Sequence, residues 1–331
     1  MRKLRRIGFL AILLLITGLI SNVGNFPQVL SGEKREINFL SGLPGKNQKL
    51  LAVKIDDTKQ AHPQIGIQAA DLVFVEQVES GLTRLLALYS SVYPPSIGPI
   101  RSARISDIDL LAQFGKVAFA YSGSQTKMRP VLASANLNNL SAEKNPPSIF
   151  SRAADRIAPV DMILDPEKLL AHAIDRWKMS LISLTAPVFE FGEVNANSIS
   201  IVDATVKWPN AKYVISWDKS RNAWNLMQND FAEVDANTGS IYVDNAIIQI
   251  VEISPSIYGD KFGGITPISK TVGNGDAYLL RDGKYQPIKW QRADAQNITT
   301  WVDLNDDPVN LKAGKTWIFL TGSTPTFGYQ P

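Results

Sequence analysis

The strongest candidate for chemistry in this 331-residue chain is a short segment that carries two arginines, residues 98–104, with the sequence GPIRSAR. Its glycine and proline favour a loop, and Arg101 and Arg104 come directly before a predicted helix. Guanidinium groups bind phosphate or carboxylate through paired N–H donors, and a helix N-terminus adds backbone donors and a favourable dipole. We therefore predict an anion-binding site that contains Arg101, Ser102 and Arg104.

A third arginine, Arg84, interrupts the apolar segment 82–90 (LTRLLALYS), which is predicted to form a strand. We interpret it as an arginine directed into the same cleft. The alternative is an edge-strand arginine in a surface salt bridge. For the two loop arginines the alternative is a pair of solvated side chains that bond to Asp107 or Asp109.

Carboxylates and a hydroxyl near the ends of predicted strands complete the expected polar cleft, and the candidates are Asp56, Glu76, Glu79, Asp107 and Ser122. Glu76 and Glu79 are three residues apart, so they point to opposite faces of a regular strand and only one should face a site. Asp56, Asp57 and Asp71 could hold a metal ion or exchange a proton. They could equally form turns and caps, for which aspartate is well suited.

Composition excludes several classes of function. The chain has no cysteine, which rules out disulfides, thiol nucleophiles, iron–sulfur clusters and a lipid-modified cysteine. Its two histidines, His62 and His172, are too few for a histidine-rich zinc or iron site. The segment 122–124 (SGS) lacks the full G-x-S-x-G pattern of a hydrolase nucleophile. We predict no cofactor, with Mg²⁺ needed only if the cleft transfers a phosphorylated group.

The charge distribution argues against a nucleic-acid partner. The chain has 34 Lys+Arg and 31 Asp+Glu, and four of the basic residues lie at positions 2, 3, 5 and 6. Without those four, 30 basic residues stand against 31 acidic ones, a net charge of −1. A protein that follows a phosphate backbone needs a basic stripe, which this composition does not favour.

The four N-terminal basic residues precede an apolar run of fourteen residues, 7–20. This pattern is typical of a signal peptide, and continued to residue 23 it approaches the roughly 20 residues that span a bilayer. We predict that residues 1–23 are a signal peptide or, preferably, a retained membrane anchor, and that 24–35 are a linker. The basic flank stays in the cytoplasm. The protein is then a single-pass protein of the cell membrane with its bulk outside the cytoplasm, or a secreted one if the segment is cleaved.

Hydrophobic patterning predicts an α+β fold. A mixed domain is expected over 36–190, with strands at 50–55, 72–78, 82–90 and 117–121, a helix capped by Ser106, and helices at 126–135 and 166–177. Ser80-Gly81 predicts a tight hairpin between the second and third strands. A smaller β-rich domain is expected over 200–320, followed by a tail at 321–331, with strands at 211–217, 223–228, 240–251, 277–280 and 284–290.

Several of these segments resemble the YerB-like family of exported bacterial proteins, which pairs N- and C-terminal domains of unknown function. The matching stretches are AVKIDD, HPQIGIQAADLVFVEQVESGLTRLLALY, IGPIRSAR and FAYSGSQ, and more loosely YVISWD, GNGDAYLLRDGKYQPIKWQR and AGKTWI. The resemblance covers residues 40 to 320 and implies a place in the cell envelope. The chain departs from relatives in lacking an anchoring cysteine, and in carrying Ala-Pro-Val-Asp at 158–161 where relatives tend to have Ala-Pro-His-Asn.

A more distant resemblance concerns the order of Asp71, a hairpin, a Pro-x-Arg loop and a tyrosine–glycine segment, which is similar to that in LytR-CpsA-Psr proteins. Those proteins attach anionic glycopolymers to the cell wall from polyprenyl-pyrophosphate carriers. The resemblance implies that Arg84, Arg101 and Arg104 hold phosphate and that Asp71 holds a metal ion. Such an enzyme would need Asp71 or Asp56 close to the arginines around a deep pocket.

Two functions therefore stay open at the level of sequence. We favour a protein that binds an anionic envelope ligand, or an envelope partner, in an arginine-lined cleft. The alternative is a Mg²⁺-dependent phospho-glycosyl transferase that acts on a polyprenyl-pyrophosphate-linked glycopolymer. The expected partners are the cytoplasmic membrane, through residues 7–23, and a cell-wall glycopolymer, a lipid-linked phosphate or an envelope protein.

Overall fold

Three predominantly apolar strands form the centre of the fold, as expected for strands covered on both faces. The computed structural model describes residues 36–193, 198–260 and 263–329. In it, these strands are β1 (Leu51–Asp56), β2 (Leu72–Gln77) and β3 (Thr83–Tyr89), and β3 lies between the other two, antiparallel to both. The predicted pairing of β2 with β3 as a hairpin is confirmed, but the connection spans residues 78–82 and contains a 3-10 turn, so it is not a tight turn at Ser80-Gly81. Gly81 has φ 68° and no room for a side chain beside Pro209.

The predicted N-terminal segments, a signal peptide or anchor at 1–23 and a linker at 24–35, lie outside the described residues. In the ranges that the structure describes, no helix has both the length and the apolar character needed to cross a membrane. The membrane anchor therefore stays a prediction from the sequence.

The rest of the first segment, residues 36–193, consists of short strands and helices. These elements are α1 (Ile105–Ala112), β4 (Ala118–Ala120), α2 (Arg129–Ser134), β5 (Asn138–Asn139), β6 (Phe150–Arg152), β7 (Met162–Leu164), α3 (Pro166–Asp175) and β8 (Glu190–Phe191). The prediction that Ser106 caps α1 is wrong. The cap position is Arg104, because the carboxylate of Asp107 accepts the backbone N–H of Arg104 at 2.6 Å. Ser106 lies in the first turn instead and accepts the backbone N–H of Ser269 at 3.0 Å.

The second segment, the described residues from 198 to 329, consists almost entirely of strands. They are β9 (Ile199–Ser200), β10 (Asp203–Trp208), β11 (Ala211–Asp218), β12 (Ala223–Gln228), β13 (Phe231–Ala232), β14 (Val234–Asp235), β15 (Gly239–Ser240), β16 (Tyr242–Val243), β17 (Asn245–Ile250), β18 (Ile253–Gly259), β19 (Ile265–Ser269), β20 (Gly273–Arg281), β21 (Lys284–Arg292), β22 (Thr300–Val302), β23 (Asn310–Leu311), β24 (Thr316–Thr321) and β25 (Thr326–Gly328). The strand predicted at 240–251 is two strands, β16 and β17, because the chain moves from one sheet to another at Asp244.

The strands of both segments share one sheet. Within the described residues it has eleven strands in the order β22-β21-β20-β17-β24-β2-β3-β1-β4-β5, with β9 beside β21. The two segments meet where β2 runs parallel to β24, with Leu72 opposite Thr316. The fold class predicted from the sequence, α+β, is confirmed, whereas the division into separate domains at 36–190 and 200–320 stays a prediction.

The large sheet lies between two further layers. One of its faces packs on a second, six-stranded sheet with the order β13-β12-β11-β10-β25, in which β16 pairs with β12, through side chains such as Val53, Val75, Tyr213 and Phe319. Its other face packs on α1 and on Phe114, which follows that helix, and the ring centroids of Phe74 and Phe114 lie 6.4 Å apart. That second face is apolar at one end of β1–β3 and charged at the other. The charged end forms the site described below.

Because one sheet joins the two segments, we predict that they unfold together. Leu86 is fully buried in β3, and truncation of such a leucine costs about 2–5 kcal/mol. Six of the seven tryptophans lie after residue 200, so tryptophan fluorescence reports mainly on the second segment. Leu86→Ala should lower the urea midpoint equally by tryptophan fluorescence and by far-ultraviolet circular dichroism.

The matched control for this experiment is Ile157→Ala, since Ile157 is 85% exposed in the same segment and should leave both midpoints unchanged. A fluorescence midpoint that stays at the wild-type value in Leu86→Ala, while the dichroism changes, would mean that the segments unfold independently.

Candidate functional site

The segment 98–104, here called the arginine loop, is fixed by backbone hydrogen bonds between the ends of β1 and β4. The N–H of Asp56 donates to Pro99 O at 2.9 Å, and the N–H of Arg101 donates to Lys54 O at 2.8 Å. On the other side, the N–H of Ala103 donates to Gly123 O and the N–H of Ser122 donates to Arg101 O, both at 2.9 Å. The loop therefore extends the sheet, and its arginines have fixed positions.

The arginine loop forms one wall of a cleft of about 950 Å³, here called the arginine cleft. All four residues predicted to bind an anion line it, namely Arg84, Arg101, Ser102 and Arg104. The lining of the cleft also includes apolar groups, among them Val78, Leu82, Met128 and Tyr258. The cleft thus combines guanidinium groups with an apolar wall.

Both loop arginines are paired with carboxylates from neighbouring strands. Arg101 Nε lies 2.6 Å from Asp56 Oδ2, at the end of β1. Arg104 donates from Nε and Nη2 to Glu79 Oε2 at 3.0 and 2.7 Å. The alternative pairing with Asp107 or Asp109 is wrong, since among the described residues neither carboxylate forms an ion pair with these arginines. Burial raises the pKa of Glu79, but Arg104 and a hydrogen bond from Thr266 outweigh it and lower that pKa below its ordinary value.

Arg84 differs from the other two arginines because, in the ranges that the structure describes, it forms no ion pair with a carboxylate, although the charges of Asp56 and Glu79 act on it in the favourable direction. It is only 7% exposed, and among the described residues the hydrogen bond that it donates runs from Nη1 to Ser102 O at 3.4 Å. Its cross-strand neighbours are acidic, but Asp56 is paired with Arg101 and Glu76 with Lys54. Burial, followed by the charges of Arg104 and Arg101, lowers the pKa of Arg84 to about 9, so the side chain is still a cation at neutral pH.

A buried ion cluster lies beneath the cleft. Lys54 Nζ binds Glu76 and donates to Asp107 Oδ1 at 2.8 Å, and all three side chains have no exposed surface. Asp107 Oδ2 also accepts the backbone N–H of Arg104, so the cluster fixes the start of α1 to the sheet. Burial raises the pKa of Glu76 to about 7, against the opposing effect of Lys54, because two carboxylates share one cation.

Sequence reasoning missed Lys54, which stands in the middle of the apolar strand segment LLAVKI. An unexplained lysine inside a buried strand is the signal that could have found it, because lysine is almost never fully buried without a partner.

The remaining predicted residues are placed as follows. Glu79 lines the arginine cleft and Glu76 does not, so only one of the two faces the site, as expected. Glu79 lies in the turn after β2, outside the regular alternation. Ser122 stands beside the cleft, with its Oγ 3.4 Å from Ser102 Oγ.

The expectation that Asp71 shares this site is wrong. Asp71 accepts the backbone N–H groups of Ser90 and Ser91 at 2.7 and 2.9 Å, which makes it the cap of the opposite end of β3. It lies five positions along the chain from Glu76, the cross-strand neighbour of Arg84. This corresponds to roughly 16 Å at about 3.3 Å per residue. Asp57 also lies away from the arginines, and its carboxylate accepts hydrogen bonds from Thr83 Oγ1 and Tyr213 OH at 2.5 and 2.8 Å.

The protein has an α+β fold in which both segments contribute strands to one sheet and residues to the arginine cleft. The model of the N-terminal domain of the family "Protein of unknown function (DUF3048)" matches residues 40–180, and the model of its C-terminal domain matches residues 204–318. The chain belongs to this family. The resemblance to YerB-like proteins is confirmed.

Individual relatives support this assignment. A protein of Bacillus subtilis (strain 168) named "Putative lipoprotein YerB" is 31% identical to the chain over 279 residues, which is 83% of this chain and 79% of that protein. The crystal structure of YerB from Bacillus subtilis superposes with a TM-score of 0.76 at 20% identity, over 88% of this chain and all of that one. The structural match shows a shared fold, and these matches give no support to the analogy with LytR-CpsA-Psr proteins.

The raised pKa of Glu76 predicts a specific pH dependence of stability. Between pH 4.5 and about 7 the folded protein keeps a proton on Glu76 that the unfolded chain releases, so the contribution of Glu76 to stability falls as the pH rises. The free energy of unfolding of the wild type should therefore fall relative to that of Glu76→Gln, by at most about 1.4 kcal/mol per pH unit. Urea unfolding at pH 5, 6 and 7 measures the difference.

Glu79→Gln is the matched control because the pKa of Glu79 is shifted in the opposite direction. Its contribution is present above the ordinary pKa of glutamate and is lost only as the pH falls below it. The difference between wild type and Glu79→Gln should stay constant from pH 5 to 7. A constant difference for Glu76→Gln over the same interval would contradict the buried shared proton.

Proposed function

We propose that this protein is an exported cell-envelope protein that binds an anionic ligand in the arginine cleft. The single observation that carries the proposal is Arg84, a buried guanidinium that lines the cleft and forms no ion pair with a carboxylate of the described residues. Taking a charge out of water is expensive unless a partner compensates it. A phosphate or carboxylate group in the cleft supplies that partner.

The hydrogen-bonding capacity of Arg84 supports the same conclusion. A guanidinium has five N–H donors, and one of those of Arg84 is bonded within the described part of the chain, over 3.4 Å. Arginine binds planar anionic groups through two parallel hydrogen bonds. Each hydrogen bond to a charged group contributes about 1.5–3 kcal/mol.

The apolar side of the cleft indicates what else the ligand carries. Val78, Leu82 and Met128 line the cleft together with the arginine loop, and Leu82 is 37% exposed. A ligand that has both an anionic group and an apolar portion would cover these side chains. A lipid-linked phosphate has this composition, whereas a cell-wall glycopolymer supplies the anionic group alone.

The proposed location rests on the N-terminal sequence, with its basic flank and apolar run at 7–20, and on the relative named as a lipoprotein. This chain has no cysteine to carry a lipid, so its N-terminal segment would serve as a peptide anchor. The arginine cleft then lies on the extracytoplasmic side of the membrane.

The transferase alternative has less support in the geometry of the site. It needs a carboxylate close to the arginines that is available to hold Mg²⁺. Asp71 lies at the other end of the strands, and Asp56 is already paired with Arg101. We therefore propose binding rather than group transfer.

The proposal predicts that Arg84→Met weakens anion binding without destabilising the protein. Methionine keeps an apolar stem and removes a buried charge that has no ion-pair partner among the described residues, so the variant should be as stable as the wild type or more stable. Pyrophosphate and farnesyl pyrophosphate should raise the melting temperature of the wild type by mass action, and their affinities should fall at least about tenfold in the variant. Arg101 and Arg104 are less suitable targets, because their removal leaves Asp56 and Glu79 unpaired.

The control is Arg176→Met, an exposed arginine after α3 that does not line the cleft and should bind as the wild type does. A larger increase in melting temperature with farnesyl pyrophosphate than with pyrophosphate would show that the apolar side chains of the cleft contribute to ligand binding. A shift that requires Mg²⁺ would favour the transferase instead. No shift with either compound, or an equal shift in Arg84→Met, would contradict the proposal.

A further inference from the structure

A second polar cluster lies on the other side of the strand ends, outside the arginine cleft. Its members are Asp57 and His62, which follow β1, and Glu233, which lies between β13 and β14. One potential ligand atom from each of the three residues lies within 4.8 Å of the other two. Asp57 and Glu233 are buried, and the side chain of His62 is 11% exposed. Of these three described side chains, that of His62 alone has surface exposed to solvent.

The orientation of His62 is set by its backbone partner. Nδ1 lies 3.0 Å from Thr58 O, and a carbonyl can only accept, so Nδ1 carries the proton. Nε2 then faces both oxygens of Glu233 at 3.1 Å and Asp57 Oδ1 at 3.9 Å. Metal-binding histidines are typically held in this way, with one nitrogen bonded to a backbone carbonyl and the other directed at the ion.

The spacing of the ligand atoms fits a small divalent ion. Bonds of about 2.1 Å in tetrahedral geometry place two ligand atoms roughly 3.4 Å apart. The distances from His62 Nε2 to Glu233 and to Asp57, 3.1 and 3.9 Å, lie on either side of this value. The remaining contacts of Asp57, from Thr83 and Tyr213, are hydrogen bonds of the kind that orient a ligating carboxylate.

An independent observation at the same place is Gln64. Its side chain is fully buried, and its amide nitrogen lies 2.9 Å from His62 Nε2. Its oxygen, Oε1, is buried and accepts no hydrogen bond from the described residues. The amide nitrogen also donates to Asp56 O over 3.4 Å. The two ends of an amide are assigned by their surroundings, so rotation by 180° gives up this long hydrogen bond and directs Oε1 at the centre of the cluster. The same side chain then supplies a fourth ligand and its oxygen gains a partner.

The backbone holds these groups in place from both segments of the chain. Gln64 forms a parallel bridge with Asp235, and the N–H of Ala236 donates to Gln64 O at 2.7 Å. The N–H of Gln68 donates to the carboxylate of Asp235 at 2.9 Å. The potential ligand atoms are therefore held at a preformed position between the two segments, which lowers the entropic cost of binding an ion.

We infer that Asp57, His62, Gln64 and Glu233 form a site for a divalent transition-metal ion. One imidazole and two carboxylates suit Zn²⁺ or Mn²⁺, whereas Mg²⁺ and Ca²⁺ prefer oxygen ligands alone. A bound ion joins the loop after β1 to the second segment. Through Thr83, which bonds to Asp57 and lines the arginine cleft, it also fixes the floor of that cleft.

The competing explanation of this cluster is a proton alone, shared between His62 and Glu233. The test uses the purified full-length protein, stripped with a chelator and then incubated with Zn²⁺ or Mn²⁺. After gel filtration, we expect one ion per chain by elemental analysis and a melting temperature several degrees above that of the stripped protein. Co²⁺ should give a visible absorption spectrum that Zn²⁺ abolishes.

The chain offers a matched control because it has two histidines. His172→Gln, on α3, should bind the ion as the wild type does, and His62→Gln and Glu233→Gln should lose it. A folded wild type that retains less than a stoichiometric amount of both ions would overturn the inference. Equal retention by folded His62→Gln would overturn it as well. If the two cluster variants do not fold, the stoichiometry and the Co²⁺ spectrum of the wild type decide alone.

Discussion

The burial of four charged side chains on one face of β1–β3 is the constraint on which the site depends. Lys54, Asp56, Glu76 and Arg84 occupy neighbouring positions in register at the end of these strands, beneath the start of α1. Lys54 is paired with Glu76 and also with Asp107 from α1. Asp56 is paired with Arg101 from the arginine loop, which leaves Arg84 without an ion-pair partner among the described residues.

The strands β1–β3 contribute to both the core and the site. One half of each strand is apolar and the other half carries the charged side chains. Towards the middle of α1 they carry Phe74, Leu86 and Leu88, which pack against the helix. Towards the start of α1 they carry charges that fix the helix and the arginine loop. Burial of the apolar half supplies the stability that the charged half lacks, since a buried ion pair adds little by itself. Functional sites in stable proteins often retain such unfavourable charges.

Local patterns made the first segment largely predictable. The hydrophobic runs gave β1–β3 to within one or two residues, and the glycine–proline loop beside a helix identified Arg101, Ser102 and Arg104 as neighbours. The place of Arg84 in the cleft was predictable because an arginine in an apolar strand needs polar groups or solvent around its guanidinium. The N-cap of α1 was misplaced because Asp107 turns back to the N–H of Arg104, a contact that a serine-based capping rule does not anticipate.

Contacts between residues far apart in sequence were not predictable. Lys54 meets Glu76 and Asp107 across 22 and 53 residues, and His62 meets Glu233 across 171. The parallel pairing of β2 with β24 likewise follows from topology and not from a local pattern. Asp71 was expected near the site from its place at a strand end and from the resemblance to LytR-CpsA-Psr proteins, but sequence order alone does not say which end of a strand meets a loop.

The most direct measurement of the central claim is a crystal structure of the protein with tungstate, a phosphate analogue that scatters X-rays anomalously. The account predicts a tungsten peak inside the arginine cleft, with oxygen atoms at hydrogen-bonding distance from the guanidinium of Arg84. Tungsten found only at other places, with Arg84 bonded to Ser102 alone, would contradict it.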